Sequence, residues 1–416
     1  MTNTKYYFRL ISTVIGDGDK ITFRPLMDNP GILPFKIGYA KLTKYTHTLI
    51  HYYDLNPIIT ETNKLYFRSK NITDSLILHK EYFAESSNYL KILKITQERV
   101  ENKIKEILPH PQRNKRGLVN VVGSVFKAVT GNLDASDGER YENLIKKLQE
   151  NQNKLAINIR NQNSISTSVI NKFNSTIQQI GQNEMLIENK INQISIIVQK
   201  TTYRENMHFI KDILNQIINL YEIINSILQD IENSITFSKL KVMHPSIITF
   251  NDLLKELKKL EKIVGSNNMP LSTNLENIFL FEKLIDVDCF VLNNKITYLL
   301  RVPITYPNSF EYYHLYSIPV IHQSLFKVVI PRDKYLIKNQ LHYTYRGTPC
   351  KEMEPNSFLC EEEDLKEIEK KSPCEVQLLQ STKSTSTCQQ IDVTITRPVI
   401  NQLDKSNQWI LVLPNE

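Results

Sequence analysis

Cysteine is absent from the first 288 residues of this 416-residue chain, and glycine is scarce throughout, at 11 residues. Average usage of ~7% would give more than twice as many glycines. That scarcity disfavours Gly-turn-rich β-sandwiches, propellers and collagen-like or Gly-rich linker architectures, so rigid, helix-rich structure is expected. No apolar run reaches ~18 residues, so no helix of the chain spans a bilayer by itself. Proline is missing between Pro111 and Pro245, and nothing there forbids continuous helix. Also absent are GxGxxG, GxxxxGK, HExxH and GxSxG, so enzymatic function has little support and no cofactor is expected. His47 and His51 stand four apart, a metal-ligand spacing on a helix, but their surroundings read as a strand and no third ligand is in view.

What is present is apolar material for a real core, 41% hydrophobic against 23% charged, enough for two or three packed regions. Fifty-one basic residues against forty-four acidic give +7, with part of the excess in Lys91–Arg116. Aromatic residues are not interleaved with those charges as a base-stacking platform requires, so nucleic acid is not an expected partner. Met1–Lys20 is a poor signal peptide, because its only apolar stretch, Leu10–Gly16, is short and no cleavage-site pattern follows. Read literally, that places the chain in the cytosol.

The cysteines point the other way. Cys350, Cys360, Cys374 and Cys388 lie together with nine, thirteen and thirteen residues between them, and Cys289 stands apart. No CxxC pair is present, so a disulfide-stapled module of an oxidising compartment is favoured over a zinc site. Neighbouring bridges, Cys350 to Cys360 and Cys374 to Cys388, close the shortest loops at least entropic cost.

Residues 1 to about 70 alternate aromatic, β-branched and polar residues and read as strands, and Ile72–Ile107 reads as helix stopped by Pro109 and Pro111. Ser136-Asp-Gly-Glu139 fits a capping box that opens a long helix. A 3,4 alternation from Leu148 finds Leu148, Leu155, Ile159, Val169, Phe173, Ile180, Ile187, Ile194 and Ile197 apolar at nine of fifteen positions, a wet coiled-coil seam. Thr202-x-x-Glu205 is a second capping box. After it Ile210, Ile213, Ile217, Leu220, Ile224, Ile227 and Ile231 alternate without a miss, as a coiled coil or a buried helix of a larger bundle requires. A third amphipathic piece covers Asn251–Val264. From Leu284 strands return, at Val287–Leu292, Lys295–Val302 and Ser324–Ile330, with Pro303, Pro307, Pro319 and Pro331 as punctuation, and Glu361–Lys371 reads as a solvated helix.

Just after the helix-stopping prolines comes Arg113-Asn-Lys115-Arg116, an exposed basic loop of the kind a furin-like protease cuts after Arg116. The new N-terminus, Gly117, heads a seventeen-residue stretch to Leu133 with one charge, Lys127. Leu118, Val122, Val125 and Val129 share a helical face, with Val121, Phe126 and Leu133 adding apolar bulk, the profile of a peptide entering one leaflet. Its burial contributes on the order of 10 kcal/mol at most.

Gly117-Leu-Val-Asn, Gly131-Asn-Leu-Asp-Ala-Ser-Asp-Gly-Glu-Arg-Tyr141, His244-Pro-Ser-Ile-Ile248 and the four-cysteine tail together resemble the envelope fusion proteins of baculoviruses and of gypsy-type insect endogenous retroviruses (errantiviruses). The resemblance covers roughly residues 30 to 400. It implies an α+β class I viral fusion glycoprotein ectodomain, a homotrimer cut into two subunits, with long coiled-coil helices, β-rich flanking domains and the C-terminal disulfide module. Residues 117–133 match the fusion peptide and 139–200 the first heptad-repeat helix, about 93 Å long if continuous at ~1.5 Å per residue. The implied domains are an N-terminal subunit 1–116, fusion peptide 117–138, heptad-repeat helices 139–245, helical connector 246–283, β-rich domain 284–345 and cysteine-stapled module 346–416.

The implied partners are target-membrane lipid, a host furin-like protease and a receptor, at the virion envelope or host cell membrane by way of the secretory pathway. His208, His244, His314, His322 and His342 are candidate acid sensors. Asn71-Ile-Thr and Asn174-Ser-Thr are candidate glycosylation sites. The expected departures from the family are a weak leader, no legible C-terminal anchor and no cysteine before 289. A non-fusogenic relative acting as soluble receptor competitor, and a cytosolic coiled-coil scaffold, are the competing readings.

Overall fold

The computed structural model describes residues 9–13, 21–25, 31–108, 135–150, 163–200, 202–322, 325–361, 364–369, 371–380, 388–404 and 408–413. They fall into two compact units that do not follow chain order. One comprises Met1–Tyr45, Asn267–Pro270 and Ile304–Glu416, the other Thr46–Ser266 and Leu271–Pro303.

The chain opens with β1 (Arg9–Thr13) and β2 (Ile21–Pro25) and enters β3 (Ile32–Asp54), a strand of 23 residues. Helix α1 (Asn56–Leu78) follows at once, with Pro57 in its first turn, where a missing N–H costs nothing. The strand reading to about residue 70 is therefore corrected to helix from Asn56. Ile58, Thr62, Leu65, Ser69, Ile72 and Leu76 form its buried stripe at 3,4 spacing. Thr62 and Ser69 hide this stripe in the sequence. Their hydroxyls donate to the Ile58 and Tyr66 carbonyls, both at 2.8 Å, so burying them leaves no donor unmet.

Beyond His79 comes α2 (Lys80–Ile107), then α3 (Ala135–Glu150), a short strand β4 (Asn163–Ile165) and α4 (Thr167–Lys200). A single helix over 139–200 is thus not what this structure holds. Asn163, Ser164, Ser166 and Thr167 are weak helix formers, and β4 instead pairs parallel to β3, with Leu49 opposite Ser164. Helix α5 (Tyr203–Lys239) starts at the expected capping box, with the Thr202 hydroxyl accepting from the Glu205 N–H and Glu205 from the Thr202 N–H. Helix α6 (Phe250–Val264) is capped by Thr249 and ended by Gly265 at φ 91°, a conformation glycine adopts without strain.

After α7 (Ile278–Leu284), β5 (Asp286–Leu292) and β6 (Lys295–Thr305) form a hairpin. Asn293 and Asn294 turn it at φ 52° and 60°, as a tight hairpin with two left-handed residues demands. Strand β6 runs through Pro303, so that proline does not end it. The remaining strands are β7 (Phe310–Ser317), β8 (Val320–His322), β9 (Leu325–Val329), β10 (Tyr335–Lys338), β11 (His342–Arg346), β12 (Lys351–Glu354), β13 (Ser357–Glu361) and β14 (Lys366–Glu367). Then come α8 (Cys374–Leu378), β15 (Gln390–Val393), β16 (Val399–Gln402) and β17 (Gln408–Val412). Strand β14 lies inside Glu361–Lys371, which is therefore not the solvated helix expected. Its residues Lys366 and Glu367 pair with Tyr343 and His342 of β11.

In the first unit the strands order as β12-β13-β3-β7-β10-β11-β14, beside a sheet β16-β17-β1-β2 and a sheet β15-β9-β8. Ala40, Leu42, Phe310, Tyr312, Ile337 and Cys360 form one core of this unit. Gly38 is required there, because the Asn356 carbonyl that accepts from the Tyr39 N–H at 2.9 Å occupies the space a side chain would need. In the second unit the helices α1–α7 accompany β4, β5, β6 and the end of β3. Helix α3 docks through Ile145 on Ile50, Phe290 and Leu299.

Candidate functional site

The helices on either side of the basic run carry the geometry that matters. In α5, Ile210, Ile213, Ile217, Leu220, Ile224 and Ile231 are all buried, at 3% exposure or less, and Ile227 is half-buried. The stripe is consumed within one chain. Helix α2 lies along α5, where Lys103 Nζ reaches Glu232 Oε2 at 2.8 Å, Arg99 pairs with Glu222, and Tyr82 stacks on Tyr203 at 4.9 Å. Of the two arrangements the stripe permits, the structure adopts the buried helix of a bundle.

Helix α4 behaves likewise. Val169, Ile180 and Ile187 are buried, and Phe173 packs half-buried on Tyr53 with ring centroids 4.6 Å apart. The outward face is instead Asn and Gln rich, with Asn171, Gln178, Gln179, Gln182 and Asn183 exposed. The first turns of α4 border a cavity of about 290 Å3 whose lining includes Tyr53, Phe173, Ile231 and Ile248. Lys172 and Ser168 tie the helix start to α6, through Asp252 at 3.2 Å and Glu256 at 2.7 Å.

Between α1 and α4 lies a charged cluster that spacing gives no hint of. Arg68 donates from Nη1 to Glu184 Oε2 at 2.9 Å and from Nη2 to Glu188 Oε2 at 2.8 Å. The Glu184 side chain has no exposure at all.

At the end of β3 every residue from His47 to His51 is buried, so both faces of the strand are covered. His47 meets the Ser164 hydroxyl of β4 at 3.0 Å, and His51 stacks on Tyr298 at 4.9 Å. Burial pushes both imidazoles down to about 4, with the Ile247 backbone opposing this slightly at His51. Among the described residues no cluster of three or more His, Cys, Asp or Glu is poised for a metal ion. Thr46 is exposed and Thr48 polar, so the local sequence carries no signal for the burial of these two histidines.

The acid-sensor candidates named from sequence are scattered. His208 is exposed and His342 half-buried. His244 stacks on Phe237 at 3.8 Å, His314 bonds to Asp404 at 2.9 Å, and the His322 side chain lies outside the described residues. Asn71 on α1 and Asn174 on α4 are exposed. The structure joins Cys350 to Cys360 and Cys374 to Cys388, and leaves Cys289 free and buried, its thiol pushed up to about 11 by that burial. Arg113, Lys115, Arg116 and the whole of Gly117–Leu133 lie outside the described residues, as do Leu155 and Ile159 and the side chains of Leu148 and Ile194. Among the described residues no helix is long and apolar enough to cross a membrane.

Two comparisons bear on this arrangement. The model of a protein family described as Baculovirus F protein matches residues 33–416. A retrovirus-related Env polyprotein from copia-like transposable element 17.6 of Drosophila melanogaster is 26% identical over 200 residues, 48% of this chain and 35% of the relative. A second Drosophila melanogaster relative, the retrovirus-related Env polyprotein from transposon 297, is 26% identical over 200 residues, 47% of this chain and 32% of its own length. The matched region thus spans about a third of each of these relatives.

Proposed function

The chain belongs to the Baculovirus F protein family, and from that premise we propose that it is the ectodomain region of an envelope fusion glycoprotein with a class I mechanism. The observation that carries this is the family match over residues 33–416, which extends unbroken across both sides of the Arg113–Arg116 run. The envelope naming of the two fly relatives agrees with it. The family is one of structural envelope proteins, not enzymes.

In this reading a furin-like protease cuts after Arg116 and frees Gly117 at the head of an apolar segment. The segment inserts in the target membrane, because leaving water is favourable for it. The heptad positions of α4 and α5 are then released from their intrachain partners and taken up by the same positions of two neighbouring copies. The cut does no fusion itself. It makes the packed arrangement metastable, so crossing the barrier releases work. Glycans on Asn71 and Asn174 would shield exposed faces of α1 and α4 in the packed state.

The test is secretion of the chain behind a functional signal peptide, with and without furin, followed by N-terminal sequencing and liposome flotation. A new N-terminus at Gly117 with gained lipid binding supports the proposal. A cut product that ignores liposomes favours a soluble receptor competitor, and an uncut chain overturns the cleavage step.

A further inference from the structure

We propose that a proton shared between Glu61 and Glu184 clamps α1 to α4, and that the clamp opens as the pH rises. Three observations converge on it. Glu184 Oε1 and Glu61 Oε2 are both buried, and neither meets an N–H or O–H donor from any other group. The two carboxyls sit against each other, so a proton on one is the donor that satisfies the other. And Gly181, one turn before Glu184, leaves the room Glu61 needs, since a Cβ at that position would stand 3.2 Å from Glu61 Oε2.

The surrounding charges do not replace the proton. From α1, Lys64 is bonded to the other Glu61 oxygen at 2.8 Å, and Arg68 serves Glu184 Oε2 and Glu188 together. From α5, the buried Tyr221 hydroxyl lies near Ser69 and Tyr66 of α1, Glu184, and Glu101 of α2. Burial is the largest influence on Glu184. Arg68 pulls against it and Glu61 adds to it, and the outcome is a carboxyl raised to about 8. A group raised in the folded state adds stability that is complete below its ordinary range and is lost as the pH climbs through the raised value. Acid therefore tightens this contact. Above about 8 Glu184 loses the proton, and its buried Oε1 is left without a donor beside the Glu61 carboxyl.

Helix α1 precedes Arg116 and α4 follows it. Resting on the proposed cleavage, the clamp is then one of the bonds holding two separate fragments together, but it exists in the uncut chain as well and is tested there. Infrared difference spectra of the intact chain between pH 6 and pH 9.5 should show the carbonyl band of a buried protonated carboxyl at the lower pH only. The thermal midpoint should fall by on the order of 5 °C over the same range. Glu184→Gln supplies a permanent donor, so the band should vanish and the fall of the midpoint towards high pH should disappear. Glu61→Gln, with the same expected effect, covers the case in which the first variant folds poorly. Absence of the band at pH 6 in the wild type, or midpoints that fall in parallel in wild type and both variants, would overturn the proposal. Failure of furin to cut would leave it standing.

Discussion

His51 stacks on Tyr298 with ring centroids 4.9 Å apart and planes 17° apart, and neither side chain has any exposed surface. The Tyr298 hydroxyl is bonded to Ser234 of α5, so this stack connects the end of β3 to β6 and to the helical bundle. A neutral imidazole suits the site, and a charged one does not.

The pH dependence follows from that. With His51 held at about 4, the unfolded chain binds a proton from about pH 6.5 downward while the folded chain does not. Stability is present above that window and is lost as the pH falls from about 6.5 towards 4. His51→Phe keeps the stack and removes the titration, and the acid midpoint of unfolding, followed by circular dichroism, should move down by roughly 0.5 pH unit. His47 has the same sign, so a residual dependence should persist until it too is replaced.

The α5 stripe gives a second test. Ile217 is fully buried, and Ile217→Ala should lower stability by about 2–5 kcal/mol in urea unfolding. Because the stripe is satisfied within one chain, the loss should not depend on protein concentration. A destabilisation that grows on dilution would place the seam between chains instead.

The same elements differ in how far the sequence alone reveals them. The α5 stripe is legible because seven apolar residues repeat at 3,4 spacing and a capping box marks its start, both of them local signals. Helix α1 is not legible in the same way, since Thr62 and Ser69 break the apolar stripe and only their bonds to the preceding turn explain their burial. The strand β14 inside Glu361–Lys371 and the passage of β6 through Pro303 depend on tertiary pairing, which overrides composition. The Arg68–Glu184 bond and the packing of Ser164 on His47 join residues far apart in the chain, and periodicity carries no trace of them.

A third prediction concerns the two proposed fragments. This chain has no cysteine before Cys289, and both its disulfides lie after that residue. After furin treatment the fragments should separate on a denaturing gel without reductant. They should nonetheless co-elute on native gel filtration, held by the pairing of β3 with β7 and β13 and of α2 with α5. Dissociation under native conditions at neutral pH would show that these contacts do not suffice.

Thiol chemistry supplies a fourth. Cys289 is buried and its thiol is raised to about 11, so the native chain should not react with a thiol reagent at neutral pH. Denaturation without reductant should expose one thiol per chain, and reduction should raise this to five. Replacing Cys350 and Cys360 together by alanine should cost about 2–3 kcal/mol, read by urea unfolding.

Strand β4 has a last implication. Its three residues cannot hydrogen-bond to β3 and also sit inside a helix reaching from Glu139 to Lys200, so the two arrangements are mutually exclusive. If the proposed rearrangement joined α3 and α4 into one helix, His47 would lose its Ser164 neighbour and one side of β3 would be uncovered, leaving the imidazole free to take up a proton. With that proton bound, re-forming the strand would mean burying a charge, so in acid the proposed rearrangement would acquire a ratchet.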